Sequence, residues 1–564
     1  MTAVSNAETE SGATPWERLK AVLAPERGDL WALVVYGLAV GLLSLVVPVA
    51  AQAIVNTAAF GTVLQPIVVL SVVVVCLLIV AGGIRALQVV VVERLQQRLF
   101  ARMAIDLSHR LPRVEAETYD TYRGPELVNR FMDVMTVQKA TGLMMLDGFA
   151  LVLQAVIGLV LLAFYSPLLL GFDVILLVSM GFVLFVLGRG AVRTSVQESY
   201  RKYEVVGWLE EIARVPLAFW NESGLALALR RTDEATNAYL DARKAHFRVL
   251  FRQIVGTLVV QAVASGFIFG LGGLLVTRSQ LTLGQLVAAE LVVAPVVSNF
   301  AKFGKYLEAL YDLLAGVDKI GHLFDLPLVK KAGDTSLGQS GPPVSMQLKD
   351  VSAGYAGTKG APIRDATWTL ARGSHVALLG PQGSGKSVLL DVMLGLRRPL
   401  SGAVMFDGLD ARDVSMDALR TQVMLVRGVQ LFDGTLLDNV RVGRSEVGLL
   451  EVKDALENVG LLEEVLRLPE GLQTRLSGGR AALSHRQALQ LMIARALLAK
   501  PRLLALDETL DLLEPAVREL ALNLLKAPNT PWTLVLATHL PELASKLESV
   551  MRIQDGTLVP LERR

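Results

Sequence analysis

Gly380-Pro381-Gln382-Gly383-Ser384-Gly385-Lys386-Ser387 is the stretch that decides the fold of the second half of this 564-residue chain. It follows the apolar run Val376 to Leu379 directly and leads into Val388-Leu389-Leu390, so it reads as a glycine-rich turn between a strand and a helix. The backbone N–H groups of such a turn, together with the N-terminus of the next helix, cradle phosphate oxygens. Lys386 would reach the β and γ phosphates, and the Ser387 hydroxyl would coordinate magnesium. The bare pattern arises by chance about once in ~50 chains of this length, and the strand-turn-helix setting lowers that further.

Downstream, a second half-site stands at the end of another apolar run, Leu503-Leu504-Ala505-Leu506-Asp507-Glu508. Asp507 would hold magnesium and Glu508 would polarise an attacking water. A third apolar run ends in Leu536-Ala537-Thr538-His539. Alone, His539 reads equally as a structural residue; here it lies where a contact to a γ-phosphate is wanted. Short aliphatic runs (375–379, 503–506, 533–537) alternate with helical stretches such as Leu483 to Leu498. This is the pattern of an α/β layer domain with a largely parallel sheet, a P-loop ATPase domain over residues 346–564. A Gly-, Pro- and Lys-bearing linker, residues 324–345, precedes it.

The first half needs a bilayer. Hydrophobic residues make up 52% of the chain and charged ones 19%, against roughly 25% charged in soluble domains. Apolar runs of membrane-crossing length recur six times, at about residues 30–55, 66–92, 148–166, 167–188, 254–277 and 283–303. They define an α-helical membrane domain of six transmembrane helices over residues 30–323, after an N-terminal segment of residues 1–29. Arg and Lys crowd the two long gaps between spans (residues 93–147 and 189–253), which puts those gaps and both termini in the cytoplasm. Apolar residues at helical spacing, Leu95, Leu99, Met103, Leu107 and again Val205, Leu209, Ile212, Val215, predict that the helices run on as cytoplasmic extensions. Each gap breaks near its middle, at Tyr122-Arg123-Gly124-Pro125 and at Pro216 with Asn221-Glu222-Ser223-Gly224. Asp173 and Glu290 are carboxylates inside apolar spans, open to a cavity role or to helix–helix hydrogen bonding. Arg85, near the end of the second span, is expected to snorkel. The single cysteine, Cys76, lies in a span, which excludes a disulfide framework and a Cys/His zinc cluster; a net charge of +2 without a basic, aromatic-laced patch gives no nucleic-acid partner.

The order of phosphate loop, Asp-Glu strand end and Thr-His strand end, behind six membrane helices, resembles an exporter-type half-transporter of the ATP-binding cassette (ABC) family over residues 30–564. The resemblance implies ATP and Mg2+ as cofactors, with Glu508 and His539 catalytic and Ser387 and Asp507 on the metal. Nucleotide would be held by Tyr355, whose ring matches the aromatic that stacks on adenine, and by Gly380, Pro381, Gln382, Gly383, Ser384, Gly385, Lys386 and Ser387. It further implies a dimer, in which each ATP is sandwiched between one subunit's phosphate loop and the other's signature segment. A homodimer is the expectation and a heterodimer the alternative. Two coupling helices are expected near residues 122–127 and 215–220. Membrane lipid and a transported substrate are further partners, and the similarity to bacterial peptide and protein secretion exporters leaves a periplasmic adaptor open. The setting implied is the bacterial cytoplasmic (inner) membrane. Importer function is disfavoured, because importers similar to this family keep membrane and ATPase domains on separate chains.

Three departures stand out. The family glutamine that ligates magnesium aligns with Arg427, and a guanidinium has no acceptor; Gln430 would substitute only if the loop is remodelled. The family Ser-Ala-Leu-Asp after the catalytic glutamate becomes Asp511-Leu512-Leu513-Glu514. Leu476-Ser477-Gly478-Gly479-Arg480 looks like the signature, but counting back from Ala494-Arg495-Ala496 puts that segment at Leu483-Ser484-His485-Arg486-Gln487. In that register Ser484 caps the helix aimed at the partner's γ-phosphate, Gln487 follows it, and Arg486 adds positive charge beside the phosphate. The functional expectation is ATP-driven export by alternating access, of a peptide, protein, lipid or small amphiphile. The alternative is a nucleotide-gated regulator or assembly partner with little ATP turnover.

Overall fold

The computed structural model describes residues 13–60, 64–121, 128–148, 152–153, 156–157, 160, 167–278, 280–329, 341–355, 361–476 and 483–561. The chain divides into two compact units: residues 1–112 with 123–326, and residues 113–122 with 327–564.

The first unit is helical. Its longest elements are Leu64–Arg110, Glu222–Thr277 and Leu283–Phe324, of 47, 56 and 42 residues. At ~1.5 Å per residue even the shortest spans about 60 Å, twice the ~30 Å apolar thickness of a bilayer. The extensions expected from the sequence are therefore real, and Leu95, Leu99, Met103 and Leu107 are buried as their spacing predicts. The first three pack with Val134, Val137 and Leu314 from two other helices. The second stripe behaves differently: Leu209 is exposed within this single chain. Four described helices are long and apolar enough to cross a membrane. Of the six expected spans, the third (148–166) lies mostly outside the described residues, and the sixth falls within Leu283–Phe324. The side chain of Asp173 also lies outside them, whereas Glu290 is half-buried.

Two details correct the sequence reading here. Helix Arg27–Ser44 begins before residue 30, and Pro15–Leu23 is a helix of its own, opened by a Thr14–Glu17 capping box. Arg85 does not snorkel: its Nη2 lies 2.5 Å from Asp147 Oδ1, and Nη1 donates to the Leu146 carbonyl at 2.7 Å. A paired carboxylate removes the need to reach for headgroups.

The second unit is built on two sheets. Strands β1 (Met346–Ala353), β2 (Ile363–Leu370), β4 (Ser401–Phe406) and β5 (Leu409–Asp410) form an antiparallel sheet in the order β2-β1-β4-β5. The second sheet contains β3 (His375–Leu379), β6 (Val423–Arg427), β9 (Leu503–Asp507), β10 (Thr533–Thr538), β11 (Ser549–Gln554) and β12 (Thr557–Leu561), in the order β12-β11-β3-β10-β9-β6. The two-residue strands β7 (Gly434–Thr435) and β8 (Arg475–Leu476) pair separately. In the second sheet all neighbours except β11 and β12 run parallel. Every residue of β3, β9 and β10 is buried. Continuous apolar runs such as His375-Val376-Ala377-Leu378-Leu379 are what a strand covered on both faces requires. The expected α/β architecture is thus present, with its parallel strands ending together at one edge.

Residues 113–122 belong to this unit although they interrupt the first in sequence. Glu115 N–H donates to the Pro327 carbonyl, Val329 N–H to that of Arg113, and a short helix, Ala116–Thr121, follows. The break expected at 122–127 as the first coupling helix lies outside the described residues, just after Ala116–Thr121. At the second break a single 3-10 turn, Pro216–Phe219, sits within the expected 215–220.

Candidate nucleotide site

All the expected catalytic residues stand at the carboxyl edge of the parallel sheet, because they end adjacent strands in register. Leu379 pairs with Thr538, Ala537 with Asp507, and Asp507 with Arg427. Gly380, Glu508 and His539 are each the next residue along the chain. This edge, outside the strand ends, is the usual ligand position in open α/β sheets.

The loop 380–387 turns because Gly383 (φ +78) and Gly385 (φ +101) adopt left-handed conformations. At Gly385 a Cβ would also lie 2.9 Å from Ile363, so any side chain would be both strained and crowded. Helix Lys386–Met393 follows at once. Lys386 is buried and folds back over its own loop, donating to the carbonyls of Gly380 (2.7 Å) and Pro381 (2.8 Å). Its Nζ also lies 3.0 Å from Glu508 Oε1. Glu508 has φ +51, a strained setting for a non-glycine residue, and strain of that kind gathers at functional sites. An open cleft of about 700 Å3 is lined by Tyr355, Gln382, Gly383, Lys386, Ser387 and Glu508. A second, of about 730 Å3, is lined by Gly380, Pro381, Ser384 and His539 and shares Gln382 and Gly383 with the first. The buried Ser384 Oγ has no hydrogen-bond partner.

Two partnerships escaped sequence reasoning. Asp511, where the family has serine, is buried; it accepts from Thr538 Oγ1 (2.7 Å) and the His539 backbone N–H (2.9 Å), with His539 Nδ1 2.8 Å away. Asp511 thus holds His539 through its backbone N–H, with Nδ1 close by but without hydrogen-bond geometry. The other is Arg397, which is 4% exposed. Its guanidinium lies 4.8 Å from the Tyr355 ring centroid, so the ring expected to stack on adenine already rests on a cation. Nη2 donates to Asp120 at 2.7 Å and Nη1 lies 3.8 Å from Glu117, both on helix Ala116–Thr121.

The metal expectation fares differently. Arg427 Nε donates to Asp507 Oδ2 at 2.6 Å, Nη2 to the Ser387 carbonyl at 3.1 Å, and Nη1 lies 2.8 Å from Asp391 Oδ1. Burial acts to lower the pKa of this guanidinium, but Asp391 and Asp507 outweigh it and hold it above its ordinary value. Burial pushes the Asp391 carboxyl up, and the Arg427 and Arg397 charges pull it part of the way back. The Arg427 guanidinium at 2.8 Å favours its ionised form. The residues present do not fit a magnesium ion as expected. Asp507 keeps only Oδ1 unpaired, the glutamine ligand is gone, and a permanent cation stands between Ser387 and Asp507. Two like unit charges ~4 Å apart repel by about 4 kcal/mol at an effective dielectric of ~20, and a divalent ion would feel about twice that.

Ser484 caps helix His485–Leu498 in a reciprocal box with Gln487: Oγ accepts from Gln487 N–H (3.3 Å) and Gln487 Oε1 accepts from Ser484 N–H (2.6 Å). Helix capping therefore follows the register counted back from Ala494-Arg495-Ala496. Of the decoy, Leu476 ends β8, and Ser477 to Arg480 lie outside the described residues. Arg486 departs from expectation, since its Nη2 donates to Glu464 at 2.8 Å and its charge is already matched.

Fold and site together define an ABC-type ATPase unit joined to a helical membrane unit. Residues 363–511 match the ABC transporter family and residues 30–213 the ABC transporter transmembrane region; the chain belongs to the ABC transporter family. It is similar to a mycobactin import ATP-binding/permease protein of Mycolicibacterium thermoresistibile, 30% identical over 59% of this chain and 58% of that one. It is also similar to a fatty acid ABC transporter ATP-binding/permease protein of Mycobacterium bovis (28% identical over 54% of this chain and 47% of that one) and an ABC multidrug transporter of Aspergillus fumigatus (26% over 78% and 57%). The chain thus spans about half the length of these relatives. Its fold matches that of a bacterial Atm1-family ABC exporter with ATP bound, with a TM-score of 0.82 over 96% of this chain and 95% of that one, at 19% identity.

Proposed function

We propose that this chain is one half of an ATP-driven membrane exporter that works as a homodimer. The observation that carries the reading is the convergence of Lys386, Glu508, His539 and Tyr355 on one glycine-rich loop, in a chain with four described helices of membrane-crossing length. ATP enters the cleft with adenine on Tyr355 and its phosphates on the loop. Lys386 then exchanges the Gly380 and Pro381 carbonyls and Glu508 for phosphate oxygens, which frees Glu508 to take a proton from water. His539, held through its backbone N–H by Asp511, offers Nε2 to the γ-phosphate. The partner's Ser484-capped helix N-terminus completes the sandwich, since a helix N-terminus favours an anion. Closure turns the membrane cavity outward, and hydrolysis resets it.

The names of the relatives, for a fatty acid, mycobactin and multiple drugs, support a lipid-like or small amphipathic substrate over a secreted protein. Fusion of the two domains does not discriminate direction, since the mycobactin import relative is named as both ATP-binding protein and permease. Export is supported by the fold neighbour. Both termini are cytoplasmic in this reading. Substrate-stimulated ATP hydrolysis by the purified protein, with ATP-dependent uptake into inside-out vesicles, tests it; binding without turnover or uptake sinks it. One observation favours the second reading, a nucleotide-gated regulator with little turnover: the Arg427 guanidinium on Asp507.

A further inference from the structure

We propose that Arg427 is a built-in cation of the nucleotide site, doing the phosphate-neutralising work of a divalent ion, so that this chain binds nucleoside triphosphate almost equally well with and without added divalent cation. The inference rests on the reading that the loop 380–387 binds ATP.

Three observations carry it. The first is position. Strands β6 and β9 are paired so that Arg427 and Asp507 end side by side, and the guanidinium bridges from Asp507 Oδ2 (2.6 Å) to the Ser387 carbonyl (3.1 Å). These are the two residues between which the family's metal is expected, and a positive charge already stands there. The second is a dedicated support. Asp391 lies one helical turn after Ser387, on the same face of the phosphate-loop helix, and its side chain, 9% exposed, holds Nη1 at 2.8 Å. Arg397 stands on the far side of Asp391, with Nε 3.9 Å from Oδ2. The cation is thus matched by a second buried carboxylate. Arg427, Asp391 and Asp507 together carry one net negative charge, the same as an aspartate facing a neutral glutamine. The third is remaining capacity. A guanidinium has five N–H donors, of which three serve these contacts, and the side chain is 34% exposed. Two donors are left for phosphate oxygens, which arginine binds through paired N–H groups where lysine offers a point charge.

The site therefore holds a fixed guanidinium, its charge matched by Asp391 and Asp507 but with two N–H donors open to phosphate, where a soluble ion would have to be recruited. That group donates to phosphate but cannot ligate, so binding and turnover are expected to respond differently to metal.

The test uses the full-length protein in detergent and a fluorescent trinitrophenyl ATP analogue, titrated with excess EDTA and with magnesium at equal ionic strength. Lys386→Ala, expected to abolish binding in both media, confirms that the probe reports on this site. The informative comparison is with Asp391→Asn/Arg427→Gln, because removing the arginine alone would leave the buried Asp391 with only Arg397, 3.9 Å away. The ratio of Kd in EDTA to Kd in magnesium is expected to be about threefold or less for wild type and about tenfold or more for the double variant, the latter corresponding to ~1.4 kcal/mol. A wild-type ratio equal to or larger than that of the double variant overturns the proposal. Absence of saturable binding by wild type in either medium overturns the ATP-site reading beneath it as well.

Discussion

Arg397 and Asp120 are hydrogen-bonded at 2.7 Å although 277 residues separate them in sequence. Through that contact the support under the Tyr355 ring and the helix Ala116–Thr121 are a single electrostatic object. Helix Leu64–Arg110 reaches to within a few residues of that segment along the chain. A change in the way Tyr355 is loaded is therefore expected to reach the Arg397 guanidinium, and Asp120 next. Asp120→Asn keeps the shape and removes the charge. Basal ATPase activity is expected to stay within about twofold, while stimulation by substrate falls by about fivefold or more, a coupling loss of ~1 kcal/mol. Equal stimulation in variant and wild type would place the pair outside the coupling route.

Glu508 is ion-paired to Lys386 at 3.0 Å, so Glu508→Gln has two consequences. It removes the water-activating carboxylate, and it releases Lys386 for phosphate. Turnover is expected to fall by about a hundredfold, in the range for loss of a general base, with nucleotide affinity unchanged or higher. Single-turnover hydrolysis and nucleotide titration measure the two effects separately. Turnover within threefold of wild type would defeat the assignment of Glu508.

Ser484 can be separated from its capping role by choice of substitution. Ser484→Asp keeps a side-chain acceptor for Gln487 N–H, so the Tm should stay within about 2 °C, whereas Ser484→Ala gives up a cap of ~1 kcal/mol. Both are expected to lower ATPase activity, Asp more, because it sets a negative charge at a helix end that faces phosphate. Ser477→Ala should change little. A larger loss from Ser477→Ala than from Ser484→Ala would make the Leu476 segment the signature.

Asp407 offers a pH signature. Burial acts to raise its pKa, but the Ser345 backbone N–H, Arg502 and Arg372 overcome this and hold the carboxyl below its ordinary value of 3.8. A carboxylate with a depressed folded-state pKa adds stability that is fully present above its unfolded pKa and is lost as pH falls through the folded value. The stability gap between wild type and Asp407→Asn should therefore be constant above about pH 5 and close progressively below about pH 4. Thermal unfolding of the two proteins across that range gives the answer, and a gap that persists to lower pH would assign the stabilisation to packing instead.

The sequence was most readable where chemistry and geometry are local. The loop 380–387 declares itself because its turn needs glycines at fixed places and its ligand needs Lys386 and Ser387 next to them. Leu95, Leu99, Met103 and Leu107 declare a helix because burial on one face has a period. Arg427 could be recognised as the wrong residue for a metal, yet its counter-charge Asp391 could not be found, because that pairing depends on the order β6-β9 and on a helix 36 residues earlier in the sequence. The acidic residue on the phosphate-loop helix, Asp391, is the one signal of that pairing present in the sequence. Asp511 was noted as a departure from serine without its consequence for His539, which needs β9 and β10 side by side. The helix Ala116–Thr121 is not legible in the sequence, because what fixes it is the distant Arg397. Arg85 was misread for the same reason, its partner Asp147 being 62 residues away.

The two-carboxylate seat of Arg427 also constrains how this sequence can change through descent. Replacing the arginine by glutamine on its own leaves the buried Asp391 with only Arg397, 3.9 Å away, and neutralising Asp391 alone leaves the guanidinium leaning wholly on Asp507. Either single step costs stability, so positions 391 and 427 should be inherited as a unit: relatives with a neutral residue at one should have a neutral residue at the other. In a comparison of homologues the pair would then sort lineages into two groups, with few sequences between them.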